Sequence, residues 1–249
     1  MAQNADTSPR MLEIACFSLE SALIAQHAGA DRVELCDNPA EGGTTPSYGG
    51  LKVARKKLTI AVHPIIRPRG GHFVYSEDEI AIMREDILLC RHLGFEGVVI
   101  GLLKNDGTVD KCNTALLTGL AYPMEVTFHR AFDRTRNPLE AMEDIIACGC
   151  TRLLTSGQKQ DVNNATEMVR QLIVKSQERI SIMPGSGIHS NLLRNLIAKT
   201  GAKEYHASAR IIMPENYFTP TSMDEKIYKT MVNEQEVLHL IKVLRRESP

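Results

Sequence analysis

The chain has 249 residues, 43% hydrophobic and 24% charged, with a formal net charge of −1; these are ordinary globular values at the size of one (β/α)8 barrel. Basic and acidic residues are interspersed, which argues against a nucleic-acid groove or a membrane-binding stripe, and no apolar run approaches the roughly 20 residues that span a bilayer. The polar first ten residues carry no signal pattern, and the six cysteines form no disulfide-like array, so reduced thiols in a cytoplasmic protein are expected.

Residues 1–10 read as a polar tail and 11–249 as a single domain. The first strand is expected at 12–16, and side-chain alternation puts Glu13 and Ala15 on one face. Ser18 opens the next helix and Gly29 stands at its end. A second strand at 32–36 carries Glu34 and Cys36 on a common face. If both glutamates point inward at one level, neighbouring strands bring them about 5 Å apart. Two carboxylates that close need a cation, a guanidinium or a shared proton between them.

A third strand at 59–67 runs into Arg67-Pro68-Arg69-Gly70-Gly71. Its arginines offer planar forks to a carboxylate or phosphate, and the glycines let backbone approach a ligand. Ser76 with Glu79 reads as a capping box, with Ile80, Met83 and Ile87 as the buried stripe and Gly94 as terminator. After a fourth strand at 97–101, a fifth at 124–130 places Thr127 and His129 on one face and Arg130 on the other. Asn137-Pro138 caps a helix through Leu139, Met142, Ile145 and Ile146, which Gly149 ends. Cys148 and Cys150 flank that glycine at the barrel's bottom, away from any site, and read as buried thiols.

The sixth strand, 152–156, ends at Ser156, and Asp161 opens a helix containing Ala165, Met168, Val169 and Leu172. The seventh, 180–184, is followed by Gly185-Ser186-Gly187; Ser190 and Gly201 bound the next helix. The eighth, 204–208, puts His206 and Ser208 on one face. The turns after strands seven and eight, including Gly185, Gly187 and Ser208, occupy the usual phosphate-cradling corner of such barrels. A long connection at 211–232 is expected over the mouth, before a last helix begun by Asn233 and Glu236 with Val237, Leu240, Ile241 and Leu244 inside.

Eight strands alternating with eight helices predict a closed parallel barrel whose active face lies where the strands end. An open doubly wound sheet shares the alternation, but eight full units with no second domain favour closure. At the mouth, Glu13, Glu34, His129 and His206 are the candidates for proton transfer or for holding a divalent ion. Arg67, Arg69, Arg130, Ser156, Gly185, Gly187 and Ser208 are the candidates for holding an anion.

Several runs together resemble a known family. They are Leu12-Glu13-Ile14, Ala30-Asp31-Arg32-Val33-Glu34-Leu35-Cys36, Glu41-Gly42-Gly43-Thr44-Thr45-Pro46-Ser47, Ile66-Arg67-Pro68-Arg69-Gly70-Gly71, Thr127-Phe128-His129-Arg130-Ala131-Phe132-Asp133 and Leu154-Thr155-Ser156-Gly157. The pattern is similar to that of the CutC copper-homeostasis family. The resemblance implies a cytoplasmic (β/α)8 barrel that forms a homodimer or higher homo-oligomer. It also implies Cu(I) bound through cysteines near the ends of strands one and two. Cys36 matches that pattern; on strand one the family often reads Glu-x-Cys, where this chain has Ala15, and Cys16 falls on the opposite face from Glu13.

Two functions are therefore expected. One is a copper-homeostasis protein holding Cu(I) through Cys36, with Cys16 as second ligand. The alternative is a barrel enzyme acting on a small anionic or phosphorylated metabolite, with the Glu, His and Arg residues at the strand ends. A further expectation, of a protein partner recruited through 211–232, rests on that segment's length alone.

Overall fold

Each barrel strand is covered on both faces, the outer by helices and the inner by the opposite wall, so its residues are buried on both sides. The computed structural model describes residues 10–213 and 229–246. In chain order the elements are β1 (Met11–Cys16), α1 (Leu19–His27), β2 (Arg32–Leu35), α2 (Tyr48–Lys57), β3 (Ala61–Pro64) and α3 (Glu77–Leu93). Next come β4 (Gly97–Ile100), α4 (Lys111–Ala121), β5 (Glu125–Phe128), α5 (Pro138–Ala147), β6 (Arg152–Thr155) and α6 (Thr166–Ser176). The chain continues through β7 (Ser181–Pro184), α7 (Ser190–Thr200), β8 (Glu204–Ala207), β9 (Arg210–Met213), β10 (Lys229–Val232) and α8 (Glu234–Arg246).

Parallel ladders run in the orders β3-β2-β1-β8 and β4-β5-β6-β7. Single parallel bridges, Ile65 to Val99 and Gly185 to His206, join the two halves. The eight strands thus follow one another around a ring, the (β/α)8 barrel that the alternation predicts. Outward-facing Leu12, Ile14, Val33, Val62, Val98 and Val126 meet the helices in one continuous apolar layer.

The helix ends follow local chemistry. Ser76 and Glu79 form the reciprocal box, and Gly94 and Gly201 end their helices in the left-handed region that glycine enters without strain. Asp161 differs from expectation. Its carboxylate accepts from Asn163 N at 2.8 Å, capping a 3-10 turn at Val162–Asn164, and α6 starts only at Thr166. A short acidic side chain that bonds its own backbone two residues on competes with helix, which delays the start.

The connection expected at 211–232 is framed by structure: β9 and β10 pair antiparallel, Ile211 opposite Met231. Residues 214–228 between them, and 1–9 of the expected polar tail, lie outside the described residues. Among the described residues no helix is long and apolar enough to cross a membrane.

Candidate functional site

The strand register decides what meets inside the barrel. Glu13 is level with Arg32 on one side and His206 on the other, while Glu34 is level with Ala15. The two glutamates therefore stand on different levels, and the expected side-by-side carboxylate pair is replaced by a chain of alternating charge. Arg32 bonds both Glu13 and Glu204. Arg152 reaches Glu204 at 2.6 Å and Glu125 at 3.0 Å, and Ser181 Oγ donates to Glu204 at 2.6 Å. Upward, His206 Nδ1 lies 2.7 Å from Glu13 Oε1, and its Nε2 3.7 Å from Glu34 Oε2.

Burial alone would raise the Glu13 carboxyl, but Arg32 and His206 outweigh it and hold that group well below the carboxylate range. Burial pushes Glu34 up to about 7, against the pull of His206 and with the Glu13 charge adding to the rise. Burial also works to lower His206, yet the Glu13 hydrogen bond and the Glu34 and Glu13 charges raise it overall. The result is a protonatable pair standing on an ionic floor, Glu34 pushed up to about 7 and His206 raised above its usual value.

Above that floor opens a cavity of about 820 Å³. Ala15, Glu34, Ile65, Leu154 and His206 form its bottom; Arg67, Phe73 and His129 form one wall; Arg130, Lys159 and Arg210 stand at the rim. Gly187 and Ser208 line it too, whereas Glu13, Cys16, Cys36, Arg69, Ser156 and Gly185 do not.

His129 is 5% exposed, and its Nδ1 accepts from Ala131 N at 3.1 Å. Burial, reinforced by the neighbouring Arg67 guanidinium, lowers it to about 3, so the ring is neutral. Gly101 makes its place: a Cβ there would lie 2.2 Å from the imidazole.

Arg67 is less available than its sequence suggests. Its Nη1 bonds the carbonyls of Glu41 at 2.7 Å and Gly43 at 2.6 Å, and its Nη2 that of Gly71 at 3.0 Å, clamping two loops together. Arg69 is fully engaged outside the cavity, with Glu79 and the carbonyls of Gly70, His72 and Val74. Neither reaches outward as a free fork, because the loops at 41–43 and 70–74 fold back and present carbonyls to them.

Arg130 belongs to the rim although alternation put it on the outer face. The strand ends at Phe128, and a 3-10 turn over Arg130–Arg134 reorients it. Its guanidinium bonds Asp133 at 2.9 Å and Ser156 Oγ at 3.0 Å. Asp133 also accepts from Thr155 Oγ1 at 2.6 Å, Ser156 N, Ser156 Oγ and Gln158 N. Sequence reasoning missed this hub; the signal was an acid three residues after Arg130 on a turn. Ser156 is thereby buried beneath the rim.

In the corner after β7, Ser186 and Gly187 have φ of 76° each, and the turn bends into the cavity. A Cβ on Gly187 would lie 2.4 Å from the Asp161 carboxylate, and one on Gly185 2.6 Å from Leu154 Cδ1, so Gly185 serves packing. Ser208 is exposed at the mouth.

Cys16 is wholly buried in the layer beneath the helices, and Cys36, 3% exposed, packs with Ile65 and Val99. Burial, with Glu34 adding, raises both thiols well above their usual range, so both are protonated at neutral pH. Among the described residues no group of three or more His, Cys, Asp and Glu side chains is arranged to hold a metal ion.

Residues 10–211 match the CutC family profile. The chain is 52% identical over 201 residues, 81% of each chain, to the family protein CutC of Chromobacterium violaceum. It is 48% identical over 204 residues, 82% of each, to that of Salmonella heidelberg. A crystal structure from Streptococcus agalactiae, described as a candidate copper homeostasis protein CutC, superposes with TM-score 0.77 at 33% identity, over 80% of this chain and 98% of that one. A phosphoribosylanthranilate isomerase from Thermotoga maritima shares the fold alone, with TM-score 0.58 at 15% identity over 95% of this chain and 98% of that one.

Proposed function

This chain belongs to the CutC family, and from that premise we propose that its working site is the polar well above Glu34 and His206. There it holds a small anionic metabolite and moves a proton to or from it. The observation that carries this reading is the Glu34–His206 pair, 3.7 Å apart at the bottom of a cavity where basic side chains outnumber acidic ones. Arg67, Arg130, Arg134, Lys159 and Arg210 line it, against Glu34, Glu41 and Asp133. Such a surface favours a negative ligand, and a buried acid near neutral pKa is suited to general acid–base work.

Thermal-shift screening of phosphorylated and carboxylated metabolites tests the reading. A stabilising anion whose effect is lost in Arg130→Ala supports it; no anion stabilising the native protein overturns it.

The family name ties the chain to copper homeostasis, and one observation favours a direct Cu(I) role. Cys36 N donates to Cys16 O at 2.8 Å, which sets the two cysteines at neighbouring strand ends. Soft thiolates are what Cu(I) selects, but both thiols here are buried and protonated. An anaerobic competition titration against a chromophoric chelator separates the two readings. Copper retained by the native protein and lost in Cys36→Ser supports the thiol site, whereas equal retention by both rejects it.

A further inference from the structure

Two buried N–H groups beside the cavity have no partner within hydrogen-bond geometry among the described residues: Nε2 of His129 and Nε of Arg67, whose side chain also neighbours the unpartnered Tyr75 hydroxyl. Both side chains line the cavity, at 5% and 4% exposure. Both also rest on the Phe73 ring, the imidazole centroid at 5.0 Å and the guanidinium carbon at 5.1 Å. Buried donors without partners are rare in native proteins, and two sharing one aromatic support call for a common explanation.

Neither nitrogen can be satisfied by a donor. The Ala131 N–H occupies His129 Nδ1, so the single ring proton sits on Nε2. A guanidinium never accepts. Nor can either group easily turn away. Gly101 leaves the imidazole just enough room, and three backbone carbonyls hold the other end of Arg67.

We infer that His129 Nε2–H and Arg67 Nε–H form one corner that receives a carbonyl or carboxylate oxygen of the ligand. The inference rests on the anion-binding reading above and specifies it. A hydroxyl oxygen could also accept, but its own proton would then need a further acceptor outside the corner, which a carbonyl or carboxylate oxygen does not require. A phosphate dianion suits Arg134, whose guanidinium carbon also lies over Phe73 at 5.9 Å, and the rim cations Arg130 and Lys159 better than Arg67, already shared with three carbonyls. The ligand class is therefore a small molecule with a carbonyl or carboxylate at its buried end and negative charge toward the rim.

Long-range proton–nitrogen spectra of the whole protein, labelled with 15N-histidine and with 15N in the backbone, test this. The probes are 2-phosphoglycolate, formate and inorganic phosphate. Between about pH 6 and 8 His129 is expected as the Nε2–H tautomer, and 2-phosphoglycolate and formate should move its Nε2–H proton downfield. His129→Gln should weaken 2-phosphoglycolate about tenfold, the scale of one lost hydrogen bond, while leaving phosphate binding unchanged. If that variant fails to fold, the native spectra decide. Backbone signals of Lys159 and Ser186 that respond to the carboxylate probes while His129 does not would overturn the corner and leave the anion reading standing. A proton on Nδ1, or a response to phosphate alone, would also overturn it. If no probe binds anywhere, the anion reading fails and the corner with it.

Discussion

His206 Nδ1 lies 2.7 Å from Glu13 Oε1, at a depth where Glu13 is 1% exposed. This contact ties the mouth to the floor, because Glu13 is held from below by Arg32. His206, raised by its carboxylates, contributes stability that is full below the unfolded-state value near 6.5 and lost as pH rises through its folded value. Glu13, depressed in the fold, contributes stability that is present above the unfolded carboxylate value and lost as pH falls. Glu13→Gln should therefore flatten the His206 loss above pH 6.5. It should also cost about 3 kcal/mol at neutral pH, the scale of breaking a buried charged pair. Urea denaturation across pH measures both; an unchanged alkaline slope would mean that Glu13 does not hold the His206 proton.

Glu34 carries the complementary prediction. Its carboxyl is pushed up to about 7 in the fold by burial. The stability it contributes is complete below the unfolded carboxylate value, near 4.5, and declines as pH rises through 7. Glu34→Gln removes that decline. Relative to the native protein the variant should gain stability from about pH 5 to 8, at no more than about 1.4 kcal/mol per pH unit. A stability difference independent of pH would show that Glu34 does not titrate in this range.

The barrel and the mouth were readable because strand runs and helix caps are local signals. Glu34, His129 and His206 sit on strand ends where alternation reports the inward face correctly. The roles of Arg67 and Arg69 were not readable. Their partners are carbonyls of irregular loops, and nothing in a sequence says where a loop carbonyl points. The level of Glu13 was hidden for another reason: alternation fixes the face of a side chain, but the stagger between strands fixes its height. Asp133 escaped because four of its five donors come from Thr155, Ser156 and Gln158, more than twenty residues away.

Gly101 is the residue that lets His129 occupy its place. A methyl group there would lie 2.2 Å from the imidazole and 2.9 Å from Ala131 Cβ. The ring is 5% exposed and packs on Phe73, so relieving the clash means displacing that part of the cavity wall. Gly101→Ala should cost about 1–3 kcal/mol, the usual range for overpacking a filled interior, and should alter the His129 imidazole resonances more than those of His206. A thermal midpoint equal to that of the native protein would show that the wall at His129 yields.

The cysteines differ in what they expose, and thiol chemistry can read that difference directly. Cys112 is exposed at the start of α4, while Cys16, Cys36, Cys90, Cys148 and Cys150 are all buried. Burial raises each of those five thiols. A thiol reacts as its thiolate, so a raised and enclosed thiol is doubly protected. In the native protein near neutral pH one thiol of the six should react rapidly with a disulfide reagent. The other five should react only as fast as the fold opens, and Cys112→Ser should abolish the fast phase. Cys36 is the decisive residue in the remainder. If it reacts as rapidly as Cys112, the pocket of Cys36, Ile65 and Val99 opens readily, and a thiolate becomes available to Cu(I) at the mouth. If it stays protected until global unfolding, copper cannot reach it without unfolding the β2 end, and the polar well remains the accessible site.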